Sequence, residues 1–268
     1  MFQTNLVPCD LGQIAASGQC FRMQPAEDGW WRVCARDACV YIQQKDDALL
    51  FDCTADAWQT RWRSYFDWGT DYQAILDAVP ADDAFLHAAA AYGSGLRILQ
   101  QDLWETLITF VISQNNNIPR IRAAVEAICR GWGAAHTDSR GQTYYAFPEK
   151  EALAQASVEE LRAAGLGYRD RYVHAIAHSD FDAQAVAKMD RAAAYEALLA
   201  LPGVGKKVAD CVQLFGLHDL AAFPVDTWIR RMCETHYGGA FPVERYAGFA
   251  GVIQQYIFFY GRTGNGKI

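Results

Sequence analysis

Two residues of this chain are of types and in positions that could do chemistry, Lys207 and, nineteen positions later, Asp226. Lys207 closes the run Leu201-Pro202-Gly203-Val204-Gly205-Lys206-Lys207. Val208, Cys211, Val212 and Phe215 recur at three- and four-residue spacing and predict the core-facing stripe of a helix, while Lys206, Asp210 and Gln213 fall on a polar stripe. Lys206 is therefore expected in solvent. Lys207 shares an edge with Cys211 and Leu214 at the border of the apolar face, where partial desolvation would lower the amine's pKa and make it a usable nucleophile. Asp226 follows in Pro224-Val225-Asp226, at the predicted start of another helix, where a carboxylate satisfies free N–H groups of the first turn. Each has an ordinary structural explanation when taken alone: lysines beside a turn are solvated charges, and an aspartate after a proline is a helix cap.

The elements that must hold these residues can be read from local signals. Ala193 to Ala200 has helix-forming composition, and Pro202 blocks its continuation, so a helix, a tight turn and a second helix are predicted at about residues 192–216. Gly203 and Gly205 lack a Cβ and can take positive φ, which lets the turn's N–H groups approach an anion at the helix N-terminus. A nucleic-acid phosphate is the natural anion. Upstream, Leu103, Leu107, Phe110 and Val111 mark one face of a helix that ends at Asn115-Asn116-Asn117, and Pro119 suits the first turn of the next. Ser157-Val158-Glu159-Glu160 reads as a capping box, with Gly165 or Gly167 closing that helix. Before residue 80 the chain instead shows strand chemistry at Trp30–Cys34, Ala38–Gln43 and Leu49–Cys53, separated by Asp-Gly and Asp-Asp turn pairs. The prediction is an α+β protein, mostly helical, with an N-terminal antiparallel sheet domain over 1–98 and a helical domain over 99–268. Tyr92-Gly93-Ser94-Gly95 would serve as a hinge between them.

With 268 residues, 51% hydrophobic and 21% charged, the chain can build a well-packed core. Its eight cysteines include no Cys-x-x-Cys pair, which argues against a zinc ribbon or a redox pair. No signal-peptide pattern and no membrane-length apolar run is present, so an intracellular, DNA-associated, reducing location is expected. The net charge of −7 runs against a phosphate-binding protein. Residues 1–100 carry 7 basic and 13 acidic side chains, net −6, and the rest 17 and 18, net −1, so the acidity lies away from the hairpin. An enzyme that grips a short stretch of nucleic acid needs only a local positive strip and helix N-termini.

The hairpin, the half-buried lysine at its exit and the Pro-x-Asp beyond it resemble the helix-hairpin-helix DNA glycosylases. Further stretches narrow the resemblance to the 8-oxoguanine DNA glycosylase/lyase branch: Ser17-Gly18-Gln19-Cys20-Phe21-Arg22, Ser113-Gln114-Asn115-Asn116-Asn117-Ile118-Pro119-Arg120, Gly165-Leu166-Gly167-Tyr168-Arg169 and Gln254 to Phe258. They occur in the family's order and span nearly the whole chain. The resemblance implies an N-terminal domain similar to the TATA-binding-protein fold. It also implies a double-stranded DNA partner containing oxidised guanine opposite cytosine, a monomer, and no cofactor or metal. Only Cys211 and Cys233 lie beyond residue 200, so the superfamily's iron–sulfur cluster is not expected.

By that resemblance Lys207 attacks C1′ and forms a Schiff base from which the strand is cut by β-elimination, and Asp226 stabilises the oxocarbenium-like centre. The base must leave the stack to be reached. Gly18 would then accept its N7–H, Cys211 and Phe258 would sandwich the ring, and Gln254 would read its Watson–Crick edge. Asn115, Arg120 and Arg169 would hold the unpaired cytosine, Tyr168 would fill the vacated stack, and Gly203, Gly205 and Lys206 would contact phosphate. The pattern is broken where many relatives carry a histidine two residues after the aspartate and this chain has Trp228. No further domain is expected beyond Arg262. Two other functions remain compatible with the motifs: a monofunctional glycosylase for alkylated bases, and a non-catalytic hairpin module that binds DNA.

Overall fold

The computed structural model describes residues 1–5, 8–45 and 48–263, and the expected Asp46-Asp47 turn lies outside the described residues. The N-terminal part forms a sheet of β1 (Phe2–Asn5), β2 (Met23–Pro25), β3 (Trp30–Ala35), β4 (Ala38–Lys45) and β5 (Ala48–Phe51), with more and less buried side chains alternating along β1 and β5. Its order is β1-β5-β4-β3-β2, antiparallel throughout, with Val33 opposite Val40 and Ile42 opposite Phe51. Aromatic residues back this sheet: the Phe51 and Trp58 ring centroids are 4.6 Å apart and those of Phe2 and Trp58 4.8 Å. Helix α1 (Leu11–Ala16), capped by Asp10, joins the same small core through Leu11 and Ile14.

The larger core is helical. Its elements include α2 (Ala84–Tyr92), α3 (Leu103–Ser113), α4 (Ile118–Trp132), α5 (Asp170–Ala177), α6 (Arg191–Leu199), α7 (Lys206–Phe215), α8 (Thr227–His236) and α9 (Ala250–Thr263). Every residue of α3 from Leu103 to Ile112 is buried, the polar Glu105, Thr106 and Thr109 included, and α4 and α7 pack against it. Helix α9 lies between α2 and α8. Asn117 caps α4, and the Ser157–Glu160 capping box forms with both reciprocal bonds. Among the described residues no helix is long and apolar enough to cross a membrane.

Two features tie the sheet to the helices. Glu105 of α3 is buried, pairs with Arg22 at 3.4 Å and accepts from the Arg36 N–H at 2.7 Å. Burial pushes its carboxyl above the usual range, against the pull of Arg22. The expected hinge is instead pinned: Gly93 caps α2, and the Asp10 N–H donates to the Gly95 carbonyl at 2.8 Å. A Cβ on Gly95 would stand 2.4 Å from that of Asp10, so glycine serves close packing there rather than flexibility.

Candidate active site

Helices α6 and α7 enclose the predicted hairpin, Leu201 to Gly205. Gly203 has φ +77°, and a Cβ on it would fall 2.4 Å from Cγ of Tyr172. Gly203→Ala is therefore expected to cost about 1–3 kcal/mol, read as a lowered urea midpoint at unchanged slope. A wild-type midpoint would mean that Tyr172 gives way. Gly205 corrects the expectation of positive φ: at −97° it is the extended N-cap of α7, and open space surrounds the place of its Cβ. No side chain caps α7, so its first N–H groups are left for another acceptor.

The helical spacing places both lysines as expected. Lys206 is exposed, and Lys207 is half-buried with its amine 5.3 Å from the centre of the Phe110 ring. Beside it lies the Cys211 thiol, which burial pushes up to about 11 while the lysine charge draws it down. Gln213, expected on the polar stripe, is buried because α6 covers it, and its amide donates to the Arg191 carbonyl at 2.8 Å. Asp226 caps α8, its Oδ1 accepting from the Ile229 N–H at 2.8 Å.

Two concavities meet at these groups. A cavity of about 50 Å³ is lined by Gly18, Cys211, Gln254 and Phe258, together with Lys207 and Asp226. An open groove of about 860 Å³ is lined by Asn115, Arg120, Tyr168, Gly205 and Lys206, and again by Lys207 and Asp226. The amine and the carboxylate thus stand where the groove passes into the cavity. Arg120, Lys206, Lys207 and Arg230 outnumber the lone carboxylate of Asp226 along the groove, which supplies the local positive strip that the net charge conceals.

The cavity walls are held by neighbours. Gly18 has φ +78° and sits in a segment fixed by Gln19, whose amide donates to the Arg97 carbonyl at 2.9 Å and accepts from the Leu99 N–H at 2.8 Å. Arg262 donates to the Ala16 carbonyl at 2.6 Å and lies 5.4 Å from the centre of the Phe258 ring. Burial lowers the Arg262 guanidinium, while Asp226 favours its charge. Gln254 is buried, and its amide donates to the Pro224 carbonyl at 2.9 Å.

In the groove, Asn115 is exposed in the left-handed region at φ +47°, Arg120 is exposed, and Tyr168 is 52% exposed at the rim. Arg169 is not among the groove residues. It is buried behind the groove, donating to the carbonyls of Leu166, Gln114 and Asn115. Sequence reasoning missed Arg230, although its four-residue spacing from Asp226 puts both on one helix face. It also missed Ser17, Phe110 and Gln255 at the cavity. Trp228, 41% exposed, lines the groove beside Asp226. Among the described residues no group of three or more His, Cys, Asp or Glu side chains is placed to hold a metal ion.

Comparison with known proteins gives the family. Residues 1–107 match the family model of the 8-oxoguanine DNA glycosylase N-terminal domain, and residues 108–240 that of HhH-GPD superfamily base excision DNA repair proteins. An N-glycosylase/DNA lyase of Saccharomyces cerevisiae is 36% identical over 204 residues, which cover 69% of this chain and 54% of the relative. The chain thus spans about half the length of that curated relative. Among solved structures, that of MBOgg1 with a low affinity DNA ligand superposes with a TM-score of 0.91 at 32% identity, covering 97% of this chain and 94% of the other. The 8-oxoguanine glycosylase/lyase of Clostridium acetobutylicum, bound to double-stranded DNA with cytosine opposite 8-oxoguanine, gives 0.89 at 29% identity over 95% and 92% of the two chains. The fold and these matches together show that the chain belongs to the 8-oxoguanine DNA glycosylase family of the HhH-GPD base-excision repair superfamily.

Proposed function

We propose that this protein, with its N-terminal sheet domain and larger helical domain, excises 8-oxoguanine from duplex DNA opposite cytosine and then nicks the resulting site. One observation carries the reading: Lys207 and Asp226 line both the small cavity and the open groove. A nucleotide whose base enters the cavity and whose backbone runs along the groove has its sugar between those two groups. The Lys207 amine, once it has lost its proton, attacks C1′; the bond to the base nitrogen breaks and its electron pair leaves with the base. Loss of the amine proton and opening of the sugar ring give a Schiff base, and loss of a C2′ proton then expels the 3′ oxygen. Asp226, oriented by its cap bond, offsets positive charge on the sugar.

The cavity as it stands has room for a few waters rather than a purine. The base therefore enters by displacing a wall, and half-buried Phe258 is the wall that becomes its stacking partner. Phe258→Ala is expected to lose about 1–3 kcal/mol of stacking, a drop of roughly 5- to 150-fold in kcat/KM. Unchanged kcat/KM would remove Phe258 from the pocket. Gly18 and Cys211 complete the walls, and Gln254 meets the edge of the base. Asn115 and Arg120 meet the unpaired cytosine, with Arg169 holding the Gln114–Asn115 backbone in place, and Tyr168 fills the gap in the stack. Gly203, Gly205 and Lys206 meet phosphate. The protein acts as a monomer in the compartment that holds DNA.

A panel of duplexes carrying 8-oxoguanine opposite each base, with guanine and alkylated adenine as controls, tests the proposal. Excision of 8-oxoguanine with strand cleavage, fastest opposite cytosine, is the expected result. Release of alkylated adenine without strand cleavage, or binding without excision, would overturn it.

A further inference from the structure

Helix α9 carries two adjacent glutamines, Gln254 and Gln255, 3% and 4% exposed, and both line the cavity. Their amides are oriented by one backbone group. The Pro224 carbonyl can only accept, so Gln254 must present its nitrogen there, at 2.9 Å. That turns Gln254 Oε1 toward Gln255, whose Nε2 donates to it at 2.8 Å. The second amide is thereby fixed too, and its Oε1 is buried with no partner among the described residues. An orphaned acceptor inside a fold is costly and calls for a donor that the folded chain itself does not provide. Here it belongs to a side chain on the cavity wall.

We propose that Gln255 is a specificity-determining residue of the base cavity, whose Oε1 accepts a hydrogen bond from the Watson–Crick edge of an everted guanine-type base. The inference rests on the assignment of the cavity to the damaged base. A guanine-type edge offers two adjacent donors, N1–H and the 2-amino group. A hypoxanthine-type edge keeps only N1–H, and an adenine-type edge has a lone pair at N1 and no 2-amino group. A buried acceptor favours the edge that fills it and rejects one that leaves it empty. Gln255 also positions Gln254, because its own amide proton holds the neighbouring Oε1.

Single-turnover excision by the full chain and by Gln255→Met tests this on duplexes with 8-oxoguanine, 8-oxohypoxanthine or 8-oxoadenine opposite cytosine. The variant is expected to lose roughly 10- to 100-fold on 8-oxoguanine and far less on 8-oxoadenine, so the wild-type preference collapses. The 8-oxohypoxanthine arm identifies the donor: N1–H if its rate falls with that of 8-oxoguanine, the 2-amino group if it is spared. Where a rate is below detection, the same ratios are read as dissociation constants on a Lys207→Gln background. Gln255→Glu is the second variant, since it keeps an acceptor on the cavity wall in either protonation state. It is expected to retain the preference for 8-oxoguanine over 8-oxoadenine that Gln255→Met loses. Equal loss on all three bases, or a Gln255→Glu variant that shows no preference, would overturn the role of Gln255. Failure of the wild-type protein to excise 8-oxoguanine at all would overturn the function proposed above as well.

Discussion

Lys207→Gln is expected to lower 8-oxoguanine excision by roughly 10³- to 10⁶-fold, the range seen when an enzyme loses its nucleophile. The variant keeps a side chain of similar reach and polarity at the threshold, so DNA affinity and melting temperature should change little. The amine's surroundings support this assignment: it is half-buried, over the Phe110 ring and beside the Cys211 thiol. Lys206, one residue away, is exposed on the groove and serves as the control. Lys206→Gln should weaken DNA binding in a salt-dependent way and leave the rate from bound DNA almost intact. A Lys207→Gln enzyme within tenfold of wild type would shift the chemistry to an activated water.

Asp226 separates structure from chemistry through two substitutions. Asp226→Asn retains a good N-cap for α8, because asparagine accepts from the Ile229 N–H much as aspartate does, so stability should hold within about 0.5 kcal/mol. Its negative charge is gone, however, and excision should fall roughly 10²- to 10³-fold. Asp226→Ala loses both, and should add a stability loss of about 1 kcal/mol. Rate measurements paired with urea midpoints on the two variants decide the matter. If Asp226→Asn works at the wild-type rate, the residue is a cap and nothing more.

The sequence was most legible where a local rule controls the structure. Pro202 ended α6, three- and four-residue spacing put Lys207 on the edge of α7, and the aspartate after Pro224 became a cap. Other outcomes were set by partners distant in sequence. Gln213 is buried because α6 crosses that face, and Arg169 because the Gln114–Asn115 backbone needs donors. Strand β1 forms because Phe2 to Asn5 can pair with Ala48 to Phe51, a contact that no local pattern reports. Gly203 and Gly205 look alike in sequence, yet only the first meets Tyr172 and needs positive φ. Gln255 is visible in the sequence as one more amide beside Gln254. Its significance comes from the Pro224 carbonyl, thirty residues earlier, which orients the first amide and through it the second.

The central claim is that the Lys207 amine bonds to the sugar carbon from which the base departs. Reduction with borohydride during reaction on an 8-oxoguanine duplex, followed by peptide mass mapping of the adduct, tests it most directly. The expected result is a single cross-linked peptide with the added mass on Lys207. An adduct on another residue, or base release with no trapped adduct at any time, would contradict it.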